Sequence, residues 1–193
     1  MIDALIRRHV NAAPARKIRS LLHLAQTHTY GPLAAGEDAG TLTVDQNLDH
    51  LDRIADALGW LHAGVQHPAH PPCSVLIDTL HLTHCVRPGV LKWADAEVVD
   101  RRCAALGIKL LVLHVEPDAI WDRLINDRRE TPFLGEYCRK FGSSDRDLHA
   151  HFVREQERLT EMFARSAMQK VMIANNGEVE AIVDDAYELW VRA

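Results

Sequence analysis

The sequence has no Cys-x-x-C pair, no His-Glu-x-x-His, no excess of positive charge and no apolar run long enough to cross a bilayer. Each absence narrows the field. Four cysteines (Cys73, Cys85, Cys103 and Cys138) stand far apart in 193 residues, which fits reduced, mostly buried thiols rather than a disulfide framework. A formal net charge of −5 denies nucleic acid and anionic membranes the basic field that would attract them. A spanning helix needs about 20 apolar residues in a row, and MIDALIRRHV is too short and too charged for a secretory signal. Repeats, linkers and low-complexity tracts are also missing. The expectation is one cytoplasmic domain over residues 1–193, with 47% hydrophobic residues to build its core.

A further absence concerns phosphate binding. GPLAAGED, residues 31–38, has the two glycines of Gly-x-x-x-x-Gly-Lys-Ser/Thr, but Glu37 and Asp38 stand where Lys and Ser/Thr belong. A phosphate loop works because backbone N–H groups and a lysine converge on anionic oxygens at a helix start. Pro32 removes one amide and the two carboxylates repel the ligand. The stretch reads as a polar loop.

What is present alternates between helix and strand. IDALIRRHV places Ile2, Leu5, Ile6, His9 and Val10 on one helical face. KIRSLLHLAQ is apolar and open between strand and helix, and THTYGP through Gly40 reads as loop. Thr43 or Asp45 can cap a helix through Leu61 that buries Leu48, Leu51, Ile54, Ala55 and Leu58. VQHPAHPPC, with Pro68, Pro71 and Pro72, is a surface connection. CSVLIDTLHL reads as a buried strand ending at Asp78, and DAEVVDRRCAALG as a helix closed by Gly107. IKLLVLHV is the strongest strand, and EPDAIWDRLINDRR follows as a helix with Pro117 in its first turn. A polar, Arg-rich segment through Asp147 leads to the long helix HAHFVREQERLTEMFARSAM, the strand KVMIA and the closing helix VEAIVDDAYELWVR. This alternation predicts an α/β fold with a mainly parallel sheet. Ligands then belong at strand carboxyl ends, which points to residues 78–87, to Glu116 and Pro117, and to residues 175–177.

LIDTLHLTHCVRPG resembles the strand and acceptor loop of thymidylate-kinase-like P-loop nucleoside and nucleotide kinases. HVEPDAIWDRLINDRRETPF is similar to the next strand, helix and Arg-bearing lid of that family, here at about residues 123–147. KVMIANNGEVEAIVDDAYELW is similar to its last strand and helix, and QTHTYGPL with DAGTLTVDQNLDHLDRI to its acceptor-binding loop and helix. The likeness spans nearly the whole chain through short motifs. It implies a P-loop-kinase-like three-layer α/β sandwich with a mainly parallel sheet, lacking the first strand and the Walker A loop. Met1 stands about where the residue after Gly-Lys-Ser/Thr belongs, so a strand and loop of roughly 15 residues are missing. Two expectations follow: an N-terminally incomplete kinase-like protein, or a fold that closed the gap and lost nucleotide hydrolysis.

By that resemblance the activity is ATP-dependent phosphoryl transfer, with Mg²⁺, to a small acceptor such as a nucleoside or nucleotide. Asp78 would orient the acceptor or hold Mg²⁺ through water, and Arg123, Arg128 and Arg129 would clamp transferring phosphates. Gln26, Thr27, Thr29 and Tyr30 would contact base or sugar, His81 and Arg87 the acceptor, and Arg139 and Lys140 would extend the basic cluster toward the nucleotide. Thr79 departs from the family's Arg. Each has a plainer reading: a turn-capping Asp, arginines at a helix C-terminus, an ordinary polar loop. A non-catalytic binding or regulatory domain of the same fold is the alternative, and strand exchange into a homo-oligomer is compatible with a missing central strand. The last alternative is a metal hydrolase using some of the twelve histidines, among them His62, His67 and His70, His81 and His84 with Cys85, and His149 with His151. H-x-x-H on an extended segment puts its rings on opposite faces, so no metal site is expected.

Overall fold

Two short aliphatic runs build the first supersecondary unit. Ser20–Ala25 forms β1 and Cys73–Asp78 forms β2, paired in parallel from Ser20 opposite Cys73 to Ala25 opposite Asp78. SLLHLA, within KIRSLLHLAQ, is thus a strand. A parallel pair needs a long crossover, and α1, Val44–Val65, lies between the two strands in the chain. The structure, a computed structural model, describes residues 4, 5, 7, 8, 20–25, 42–65, 73–78, 80–87, 90–126, 141–142, 144–175 and 178–191.

Helix α1 starts where Thr43 and Gln46 exchange hydrogen bonds. The Thr43 amide donates to Oε1 of Gln46 at 2.9 Å, and the Gln46 amide to Oγ1 of Thr43 at 3.2 Å, a reciprocal cap worth about 1 kcal/mol. Leu51, Ile54, Ala55 and Leu58 are buried and Leu48 half-buried, as the spacing predicts. The helix runs four residues past Leu61. After β2 comes α2, His81–Val86, and then α3, Trp93–Ala105. Gly107 closes α3 with φ of 71°. Its amide bonds to the Ala104 carbonyl at 3.0 Å and the Ile108 amide to the Cys103 carbonyl at 3.1 Å, the Schellman pattern that satisfies the last carbonyls of a helix.

The remaining elements are β3 (Lys109–His114), α4 (Asp145–Arg165), β4 (Gln169–Ala174) and α5 (Val179–Val191). Among the described residues the strands form two two-stranded sheets, β1–β2 and β3–β4. The fold is therefore mixed helix and strand with a small parallel sheet. The chain divides into two compact units: Ala13–Lys109 with Met162–Gln169, and Met1–Ala12 with Leu110–Glu161 and Lys170–Ala193. The first is cored by α1, α2 and α3. In the second, Val115, Ile120, Leu124, Ile125, Leu148 and Phe152 form the core cluster.

Three local expectations are corrected. EPDAIWDRLINDRR is helical up to Asn126, but as a 3-10 turn (Pro117–Ala119) followed by a π turn (Trp121–Ile125). The wider π turn sets Leu124 and Ile125 on either side of Ile120, so all three enter the core, which a regular α-helix would not allow. Helix α4 begins four residues before His149, because Ser144 and Asp147 cap it reciprocally, amide to side chain at 3.2 Å in both directions. The segment after Asp78 is not extended: residues 81–86 are helical, with the Thr83 amide bonded to the Leu80 carbonyl at 3.1 Å.

Two glycine replacements separate backbone conformation from packing, since a Cβ at either Gly59 or Gly107 would meet nothing within 4 Å. Gly107→Ala forces a left-handed alanine and is expected to cost about 1 kcal/mol. Gly59→Ala, inside α1, is expected to add about 0.5–1 kcal/mol. Urea denaturation with unchanged m values reads both, and equal signs would refute this account.

Candidate functional site

The polar residues of the first unit gather in its core. Asn47, His50 and His81 are 0% exposed, His84 and Asp100 1%, and Ser166 5%. Two helices deliver them because a polar residue takes a place in each apolar stripe. On α3 the buried positions are Trp93, Ala96, Val99, Asp100 and Cys103. On α1, Asn47 and His50 continue the stripe of Leu51, Ile54 and Leu58 toward the helix N-terminus. The six-residue α2 adds His81 and His84 from one side, three residues apart.

Asp100 is the hub. Its Oδ1 accepts from Nε2–H of His81 at 2.8 Å and from the Ser166 hydroxyl at 2.6 Å, and its Oδ2 accepts from the Ala167 amide at 2.7 Å. The Met168 amide in turn donates to Ser166 Oγ at 3.2 Å. Burial by itself would raise the Asp100 carboxyl, but the hydrogen bonds from His81, Ser166 and Ala167 outweigh it and hold the group below the usual carboxylate value. Each bond to a charged acceptor is worth about 1.5–3 kcal/mol, enough together to offset the several kcal/mol of burying one charge. Ser, His and Asp are all present, yet Ser166 and His81 both donate to the carboxylate. That arrangement turns the serine hydroxyl toward the carboxylate rather than toward a histidine base.

His84 sits in a second arrangement. Asn47 donates from Nδ2 to the carbonyls of Leu42 at 3.3 Å and Thr43 at 3.0 Å, so its Oδ1 faces His84 Nδ1 at 2.8 Å. The Nδ1 of His84 therefore carries the proton. The His50 ring lies beside it, centroids 5.8 Å apart. Burial, then the proximity of His50, Arg87 and His81, pushes His84 down to about 4, and burial also lowers His50 against the opposing pull of Asp49. Cys85 and Cys103 lie in the same unit. Burial and nearby carboxylates raise Cys85 and Cys103 to about 11, which keeps both protonated and poorly nucleophilic at neutral pH.

Of the residues singled out by resemblance, Asp78 closes β2, His81 is a fully buried partner of Asp100, and Arg87 follows α2 half-buried. These three lie in the first unit within ten positions of chain. Arg123 is half-buried in the π turn of the second unit. Gln26, Thr27, Thr29, Tyr30, Thr79, Arg128, Arg129, Arg139 and Lys140, together with GPLAAGED, fall outside the described residues. The strand-end segments are brought together in pairs: Ala25 lies opposite Asp78, and the Asn175 amide bonds to the His114 carbonyl at 2.7 Å. His149 and His151 diverge, His149 toward Trp121 and His151 stacked on Phe141 at 4.1 Å between ring centroids. Asp100, Asn47 and Ser166 were not anticipated. A polar residue inside an apolar stripe was a readable signal for the first two, and no local pattern marks Ser166.

No family model, curated protein or solved structure matches the chain. The donor set also bears on ATP and Mg²⁺. The 193 residues contain no Gly-x-x-x-x-Gly-Lys-Ser/Thr, and among the described residues no three His, Cys, Asp or Glu side chains converge as metal ligands would. These residues do not by themselves fit an ATP–Mg²⁺ complex.

The histidine pair sets a pH dependence. His84 is held near 4 when folded against 6.5 when free, so the unfolded chain binds the extra proton between those values. Stability contributed by neutral His84 is whole above pH 6.5 and is lost as pH falls toward 4, a change of about 3 kcal/mol. His84→Asn, whose amide can still donate to Asn47, is expected to flatten that slope. Denaturation midpoints at pH 7.5, 5.5 and 4.5 check it, and an unchanged slope in the variant would exclude His84 as the source.

Proposed function

We propose that the chain is a nucleoside- or nucleotide-kinase-like protein of the P-loop class, a three-layer α/β domain with a mainly parallel sheet. It holds a small acceptor at the carboxyl ends of β1 and β2 and takes part in ATP-dependent phosphoryl transfer. The observation that carries this reading is the parallel β1–β2 pair with Ala25 opposite Asp78. In that register β1 and β2 end side by side, at the edge where parallel sheets bind their ligands. Gln26, Thr27, Thr29 and Tyr30 would then flank base or sugar while Asp78 orients the accepting group and Arg87 an attached phosphate.

A second reading, a non-catalytic acceptor-binding or regulatory domain, is favoured by Thr79 in the family's Arg place and by the lack of a Lys-Ser/Thr loop. Thermal shift separates the two. The 193-residue chain is expected to be stabilised by nucleosides or their 5′-monophosphates, and by ATP with Mg²⁺ only when extended with the in-frame sequence encoded upstream of Met1. No ATP response from either chain removes the kinase, and no response to any acceptor removes both readings.

A further inference from the structure

Helix α2 is tied to its two neighbours by histidines with different surroundings. On the α3 side the partner is an anion: His81 Nε2–H donates to Asp100, whose carboxylate also takes the Ser166 hydroxyl and the Ala167 amide. On the α1 side the partner is a neutral amide, with Asn47 Oδ1 at 2.8 Å from His84 Nδ1. The ring beside it there is a second buried histidine, His50, at 5.8 Å between centroids. His50 from α1, and Arg87 and His81 from the chain around His84 itself, all oppose a positive charge on the His84 ring. Asp49 favours a charge on His50, but burial outweighs it. That carboxylate is exposed and paired with Arg53 at 2.9 Å. Two neutral imidazoles pack in a core without penalty of charge. Two imidazolium ions in the same place would add their mutual repulsion to the desolvation of each. Parting the contact hydrates both rings and lets both charge, so proton uptake and separation of α1 from α2 are coupled.

We infer that the His50–His84 contact is an acid-released catch between α1 and α2, which takes up two protons each time it parts, while the tie through Asp100 stays closed. The sign follows from linkage. Both rings are held below 6.5 in the closed form, His84 at about 4, so the parted form binds the extra protons as pH falls from 6.5 toward 4. The closed form is fully favoured above that window and loses ground through it. The α3 side does not share this response. Its carboxylate is held below the usual value and stays ionised across the window, and an ionised carboxylate accepts from a charged ring at least as strongly as from a neutral one. A six-residue helix is also a small cooperative unit, able to leave one neighbour without unfolding the rest.

Hydrogen exchange of the full chain, followed by NMR between pH 6 and pH 5, tests both parts. The reporter on the α1 side is the Asn47 carboxamide, which donates to the Leu42 and Thr43 carbonyls at 3.3 and 3.0 Å. The reporter on the α3 side is the Ala167 amide, 2.7 Å from Asp100 Oδ2. After correction for the intrinsic pH dependence of exchange, the opening constant at Asn47 is expected to rise well over tenfold per pH unit, toward the roughly 100-fold of two protons. Ala167 is expected to keep its protection over the same range. His50→Gln, which leaves one titrating ring, should reduce the rise at Asn47 to about tenfold or less. If that variant does not fold, the native slope decides alone. A native rise of tenfold or less overturns the two-proton catch, and an unchanged slope in His50→Gln removes His50 from it. Loss of protection at Ala167 in step with Asn47 means that the whole unit unfolds, which overturns the inference as well.

Discussion

The first unit depends on one buried anion. Asp100 gathers a side-chain donor from α2, a hydroxyl from Ser166 and the amide of Ala167 onto a single carboxylate. These groups lie 19 and 66 residues away along the chain for His81 and Ser166, so the carboxylate fixes contacts that no local preference could hold. An ion in a core is costly alone and tolerable when each lone pair meets a donor. The arrangement is therefore cooperative: removing one donor weakens the case for burying the charge at all.

Helix α2 shows what that constraint achieves. Six residues are too few for a helix to persist in water. It is held because His81 is tied to α3 and His84 to Asn47 on α1, while Leu82 and Val86 pack among the apolar residues. It begins three residues after β2 ends. Polar anchoring is more directional than aliphatic packing, so it sets the orientation of the chain leaving Asp78 as well as its stability.

Much of the secondary structure was legible. Thr43 stood as one of two capping candidates for α1, the other being Asp45, the 51–54–55–58 spacing identified its buried face, and Gly107 marked the end of α3 by its freedom at positive φ. The H-L-T-H stretch was not legible as helix, since an apolar strand runs into it and only its partners make it turn. The π turn escaped notice because its cause is a three-dimensional demand, that Ile120, Leu124 and Ile125 all reach one core. Of the candidate site, Asp78 at the strand end followed from pattern. The burial of His81 did not, because it depends on a carboxylate nineteen residues later.

By itself the sequence determined the order of strands and helices, the apolar faces and several of the caps, because these rest on residues within a turn or two of each other. Tertiary structure decided which strands pair, where the polar side chains of the apolar stripes find partners and which nitrogen of His84 bears the proton. Those outcomes need groups brought from distant parts of the chain, and the buried Asp100 carboxylate leaves its donors little choice of partner.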